Sequence, residues 1–235
     1  MNLKTAGLLS SFISSAIAYV VAVVVSGYIQ AWFSKKLGDD TAERHGFLSL
    51  NPMIHIDVIG FIVFIWTGYI GWGTIVPINP QNFSGKYKQL EFALVHFSRP
   101  LANLFCAFIV LFMTVVFFGG LTLPIPQPHL VATMTPLANA LKLILAKTAL
   151  LNISFAAYSV LMSLVYMVLP WFARKTTASW MFSDVLFLIV MFFALIAFWE
   201  PLMHIFWMII MGLEIMVWKI WSGLLSLFGL MKLYR

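Results

Sequence analysis

The chain has 235 residues, of which 62% are hydrophobic and 9% charged, where soluble domains carry roughly 45–50% and about 25%. With 22 Phe, 9 Trp and 7 Tyr, too little polar surface is left to cover a globule of this size. A large soluble domain is therefore excluded. The net charge of +6 does not point to nucleic acid, because the basic residues are dispersed at the ends of apolar segments, where membrane proteins keep Lys and Arg beside headgroups. The one cysteine, Cys106, lies in an apolar run and offers neither an internal disulfide nor a Cys-based zinc knuckle.

No charge falls in 5–34, 58–85, 100–141 or 148–173, and each stretch exceeds the roughly 20 residues that cross a bilayer as a helix. The expected fold is an all-α polytopic membrane protein with about five or six crossings. Segment 6–33 is the first; its apolar run is too long for a cleavable signal and reads as a retained helix. Lys35, Lys36 and Arg44 then place the charged loop 35–44 in the cytoplasm. Segment 56–72 sits at the lower length limit for a span, bracketed by Asn51-Pro52 and by the Pro- and Asn-rich loop 76–82. A full crossing and a re-entrant hairpin both fit, with a re-entrant or short β piece around 45–58. Segment 91–118 is the next helix, interrupted early by Arg99-Pro100. An uncharged loop rich in Pro and Gly (119–136) lies at the interface, and 137–169 is a long helix with Lys142 and Lys147 snorkelling from its first turns. Two further helices, 178–199 and 203–231, complete the chain, with Trp199, Trp207, Trp218 and Trp221 as interfacial anchors. The division is a core over 1–175 and C-terminal helices over 176–235 in one membrane-embedded unit.

Residues 38–60 read GDDTAERHGFLSLNPMIHIDVIG and residues 71–83 read GWGTIVPINPQNF. The pair resembles compact bacterial members of the site-2 protease family of intramembrane zinc metalloproteases, whose blocks read GDxTAxxxGRLTLNPxxHxDPxG and GWAKPVPVNPxNF. The matching positions are Asp39, Thr41, Asn51, Pro52, His55, Asp57, Gly60, Asn79 and Pro80. Further on, the stretch from Ser98 to Asn103 looks like the family's AGPxAN, and the stretch opening at Asn152 looks like NxxLAxFN. The likeness spans about 20–168.

Peptide hydrolysis in a membrane requires an activated water. A zinc ion with three protein ligands and one open position supplies it, and HExxH on a helix sets two imidazoles on one face beside a carboxylate base. In the resemblance, the family's HExxHA falls on Ser26, Gly27, Tyr28, Ile29, Gln30 and Ala31. Its later PIPPLDG falls on 162–168, which puts Met167 at the third ligand position. A hydroxyl, an amide and a thioether are poor zinc donors, and Gly27 cannot accept a proton. The sequence therefore implies no metal, no cofactor and no catalytic residue.

Among the other candidates, His45, His55, Asp57, His96, His129 and His204 contain no HxxxH pair. His55 and Asp57 could seed a metal site on an extended segment, but hydrogen-bonding an irregular backbone is the favoured reading. Glu200 and His204 are four apart and would meet on one helix face; with Asp184 and Asp57 they would form a proton or transport path. Against that, Glu200-Pro201 reads as a membrane boundary, and Glu214 as a partner for Lys219 or another helix. Met203, Met208, Met211 and Met216 read as packing or lipid-facing residues. Arg99 replaces a small family Gly and is expected to plug the old cleft. The leading expectation is a non-catalytic scaffold or accessory subunit of a bacterial cytoplasmic (inner) membrane, with lipid and other transmembrane subunits as partners and no nucleic acid. A working protease with displaced catalytic residues and a proton-relay or transport protein are the alternatives.

Overall fold

A computed structural model describes residues 3–68, 71–118, 135–173 and 199–228. Helix α1 is Leu3–Lys36, followed by the short helices α2 (Thr41–Arg44) and α3 (Pro52–His55). Then come α4 (Val58–Thr67), a 3₁₀ turn at Pro80–Asn82, α5 (Lys88–Phe118), α6 (Pro136–Ala173) and α7 (Trp199–Leu227). Four of these helices are long and apolar enough to cross a membrane: Leu8–Lys36, Lys88–Phe118, Pro136–Leu164 and Trp207–Leu227. The protein is an all-α polytopic membrane protein. The helix expected at 178–199 lies, apart from Trp199, outside the described residues, as do most of the loop 119–136 and the boundary at 175.

Helix α1 runs without a break because 6–33 holds neither proline nor charge, and it ends at Lys35 and Lys36, cations that suit the negative end of a helix dipole. Contrary to expectation, Arg99-Pro100 does not interrupt α5, which carries Pro100 in its interior. Proline lacks the N–H that would bond the carbonyl four residues back. That carbonyl, of His96, accepts instead from Ser163 Oγ of α6 at 3.1 Å, so the group freed by the proline becomes a tie between helices.

Side-chain neighbours fix the helix directions. Ser163 meets His96, and Lys142 Nζ donates to the Phe118 carbonyl, so α5 and α6 are antiparallel. Tyr19 of α1 packs edge-on against Phe155 of α6, and Ser26 shares a cavity with Ser159 and Ser163, so α1 and α6 run the same way. Ile210 of α7 packs with Ala107 of α5, and Val217 with Val115; α7 therefore runs parallel to α5. Helices α5 and α6 share the largest contact, and α1 packs on both.

Segment 56–72 does not cross the membrane as a helix. Its helical part, α4, has 10 residues, about 15 Å of rise, half of a bilayer core. The chain also returns to where it entered. Asn79 N donates to Asp39 Oδ2 at 2.8 Å and Ser84 N to the Leu37 carbonyl at 2.8 Å, both at the Lys36 end of α1. At depth, Phe64 of α4 stacks on Tyr19 with ring centroids 4.8 Å apart, some 25 Å of helix rise below Lys36. The segment is a re-entrant hairpin. The short β piece expected around 45–58 is a single antiparallel bridge, Ile56 to Gly73, that joins its two arms.

Three residues of the hairpin motif make this shape. Asn51 caps α3 by accepting from Met53 N at 3.1 Å, ahead of Pro52 at the first helical position. Asp57 caps α4 by accepting from Gly60 N at 2.7 Å. Gly60 lets the arms touch, since a Cβ there would lie 2.2 Å from the Trp72 carbonyl oxygen. Tyr19 OH donates to that same oxygen at 2.8 Å, pinning the returning arm to α1. Asp57→Ala should lower stability by about 1 kcal/mol, the worth of a helix N-cap. Thermal unfolding in detergent checks this, and an unchanged midpoint would remove the capping role.

Candidate functional site

The most densely bonded feature of the described chain is Asp39, fully buried just past the end of α1. Its Oδ2 accepts from Ser34 Oγ at 2.9 Å and Asn79 N at 2.8 Å. Its Oδ1 accepts from Thr41 N at 3.1 Å, Thr41 Oγ1, and Asn82 Nδ2 at 3.0 Å. Burial alone would push this carboxyl up; the hydrogen bonds from Thr41, Asn79 and Asn82 outweigh it and hold the group below its ordinary value of 3.8. Asn79 also caps the following turn, accepting from Gln81 N at 3.1 Å, with Pro80 at its start. Thus Asp39, Thr41, Asn79 and Pro80 form a clasp that closes the hairpin onto α1. None of its bonds needs a metal.

One turn and more below the clasp lie the positions where the resemblance expects catalysis. Ser26 is buried, and its hydroxyl donates to the Ala22 carbonyl at 2.7 Å. Gln30 is buried with no partner for Oε1. Gly27 faces the imidazole of His55: a Cβ built at 27 would lie 2.5 Å from His55 Nδ1. The ring is fixed from its other side, with Nε2 2.7 Å from the Ser49 carbonyl and an edge-on contact with Phe47. His55 and Asp57 therefore bond the hairpin backbone, as the favoured sequence reading had it. His55 also fills the space in which a side chain at 27 would begin.

Ser26 and Gln30 form one wall of a cavity of about 110 Å³, room for several waters. The returning arm (Gly71–Gly73, Ile75, Val76) forms another wall. Helix α5 contributes His96, Arg99 and Asn103, and α6 contributes Phe155, Tyr158, Ser159, Met162 and Ser163. Arg99, expected to plug the cleft, lines this cavity. Its guanidinium donates to the Thr74 carbonyl, 3.4 Å away. Asn103 is 1% exposed, and neither of its amide atoms has a partner. Asn152, fully buried on α6, donates to the Thr148 carbonyl at 2.8 Å and leaves Oδ1 unpartnered; it does not line the cavity. The sequence singled out Arg99 and Asn103 but missed Ser159 and Ser163, although two small polar residues four apart in an apolar helix mark one face.

These side chains do not fit zinc. Ser26 Oγ is engaged with its own helix, the Gln30 amide is neutral, and Met167 is 42% exposed and outside the cavity lining. Hard or borderline divalent ions favour imidazole, thiolate or carboxylate. Among the described residues, no three His, Cys, Asp or Glu side chains gather into a possible metal site. His96 reaches the cavity, with Nδ1 3.0 Å from the Phe92 carbonyl. His45 and His204 are exposed elsewhere. Glu214 is fully buried on α7, away from the cavity lining; Asp184, His129 and the Glu200 side chain lie outside the described residues. Met208, Met211 and Met216 are exposed on α7, as lipid-facing residues would be.

Fold and site together define a polytopic helical membrane protein with a re-entrant hairpin over an intramembrane cavity. Over 100 residues the chain is 36% identical to "Putative zinc metalloprotease YwhC" of Bacillus subtilis (strain 168), an alignment covering 43% of this chain and 44% of that protein. The chain thus matches less than half the length of this curated relative. The identity supports a relationship to site-2-protease-like metalloproteases. No family model matches the chain, and no solved structure does.

Proposed function

We propose that this protein is a non-catalytic relative of the site-2 proteases, a scaffold or accessory subunit that binds transmembrane partners in a bacterial cytoplasmic membrane. The observation that carries the reading is the contrast between two neighbouring regions. The Asp39 clasp and the hairpin caps keep every group their geometry requires, whereas the catalytic positions offer a hydroxyl bonded to its own helix, a glycine against an imidazole, and an amide. An architecture kept without its chemistry suits a part that holds other helices. The likeness to a Bacillus protein supports the bacterial setting.

Two measurements test the reading. Protein purified in mild detergent should hold far less than one zinc per chain and leave transmembrane substrates uncut, and the proteins that stay attached should be integral membrane proteins. Stoichiometric zinc together with cleavage would overturn it in favour of a working protease.

A further inference from the structure

We propose that the intramembrane cavity is a binding site for an uncharged vicinal diol of the glycerol type, held between the Gln30 amide of α1 and the Asn103 amide of α5. The inference concerns a small ligand and holds whether or not the chain docks partner helices.

Two buried carboxamides line this space from different helices. Asn103 is 1% exposed with neither amide atom partnered, and Gln30 is 5% exposed with Oε1 unpartnered. Buried polar atoms of this kind call for a hydrogen-bonding occupant. Turning the Asn103 amide end for end only exchanges the unmet donor and acceptor. The hydroxyls on the same lining tip the balance towards acceptors. Ser26 Oγ already donates to the Ala22 carbonyl at 2.7 Å and Ser163 Oγ to the Ser159 carbonyl at 2.7 Å, so each turns only lone pairs to an occupant. Ser159, 8% exposed, adds a third hydroxyl. Arg99 donates to the Thr74 carbonyl and can keep that bond beside a neutral ligand.

The unmet atoms select the ligand. Gln30 Oε1 and Asn103 Oδ1 need hydrogens, which a carboxylate does not bring; Asn103 Nδ2 needs an acceptor, which an ammonium does not bring. A full charge of either sign also costs much to desolvate here. A neutral group with two donors and an acceptor meets all three atoms. Two adjacent hydroxyls do so, and each turns about its own C–O bond to reach atoms on separate helices, whereas a planar amide holds its groups fixed. The cavity, about 110 Å³, admits a head group the size of several waters. Gln30 lies six residues before Lys36, about 9 Å of helix rise, near where the polar layer of a bilayer gives way to hydrocarbon. The remaining walls, Ile75, Val76, Phe155 and Met162, are apolar and suit the start of an alkyl chain. Ile75 is 63% exposed and marks the mouth. The diol has two sources, a monoacylglycerol whose chain stays in the bilayer and free glycerol arriving from water.

The test uses the full chain in phosphatidylcholine nanodiscs, with empty nanodiscs as background. Labelled monodecanoylglycerol should bind saturably at one per chain. Propyl decanoate, the same ester without hydroxyls, should bind at least ~10-fold more weakly, since only the hydrogen bonds distinguish them. Displacement by glycerol as strong as by unlabelled monodecanoylglycerol supports a water-borne diol; displacement by monodecanoylglycerol alone supports a membrane lipid. Asn103→Leu and Gln30→Leu should each weaken monodecanoylglycerol about 10-fold. Four results would overturn the proposal: propyl decanoate binding as well as the diol, decanoate or decanamide binding more tightly than it, no saturable binding of either diol, or wild-type binding by both folded variants. If those variants do not fold, the diol-to-ester ratio of the wild type and a loss of binding in Ser159→Ala decide it.

Discussion

Replacing Gly27 by alanine should destabilise the protein by about 2–3 kcal/mol, the usual cost of forcing an extra carbon into a packed interior. The new Cβ would lie 2.5 Å from His55 Nδ1, inside any real contact distance. The imidazole cannot easily swing away, because Ser49 holds its far nitrogen and Phe47 its face. In a chain of this size, the loss should appear as a drop of roughly 5–10 °C in unfolding midpoint. Gly27→Glu, a longer side chain in the same space, should fare worse. The specific signature is coupling. His55→Ala alone opens a hole, but with Gly27→Ala it makes room for the added methyl, so the double variant should lose at least ~1 kcal/mol less than the two single losses together. An alanine at 27 that leaves the midpoint unmoved would show that His55 yields freely and that the space is open.

The second large effect belongs to Asp39. Asp39→Ala removes five hydrogen bonds from a buried carboxylate and strips Ser34 Oγ, Thr41 N and Asn79 N of the acceptor they share. A hydrogen bond to a charged group contributes about 1.5–3 kcal/mol, and stranded buried donors add to the loss, so a cost of about 3–5 kcal/mol is expected. Asp39→Asn, which keeps one acceptor oxygen, should fall between this variant and wild type. The same bonds fix the pH dependence. The folded carboxyl titrates below its ordinary 3.8, so its contribution is complete above that value and is lost as pH falls through the lower folded value. Thermal scans from pH 6 down to about 3 should therefore show a steeper acid loss in the wild type than in Asp39→Asn. The exposed pairs Lys35–Glu43 and Arg44–Asp40 serve as controls, since exposed ion pairs contribute less than about 1 kcal/mol. Glu43→Gln as damaging as Asp39→Asn would sink the clasp.

Both predictions concern side chains that shape the hairpin and its closure onto α1. The caps are local, each joining a backbone N–H to a side chain two or three residues away, whereas the clasp reaches from Asp39 across the hairpin mouth to Asn79 and Asn82. Their loss would let the hairpin leave the membrane, where unsatisfied backbone polar groups survive only under protein cover. Asp39, Asn51, Asp57 and Asn79 therefore serve the shape of the hairpin whatever stands at Ser26, Gly27 and Gln30.

The sequence by itself determined the membrane class and the four long helices to within a few residues. Those features follow from composition: apolar runs of spanning length, and basic residues at their ends. It left 56–72 open between a span and a hairpin, because a short apolar run satisfies either. Only the bonds between Asp39 and Asn79, 40 residues apart, decide that the segment returns. Sequence also put a break at Pro100. The helix continues because Ser163, far along the chain, takes up the carbonyl that the proline leaves free. The cavity beside Arg99 exists because four separate segments stop short of one another. Distances between such segments are set by packing, which no local pattern encodes.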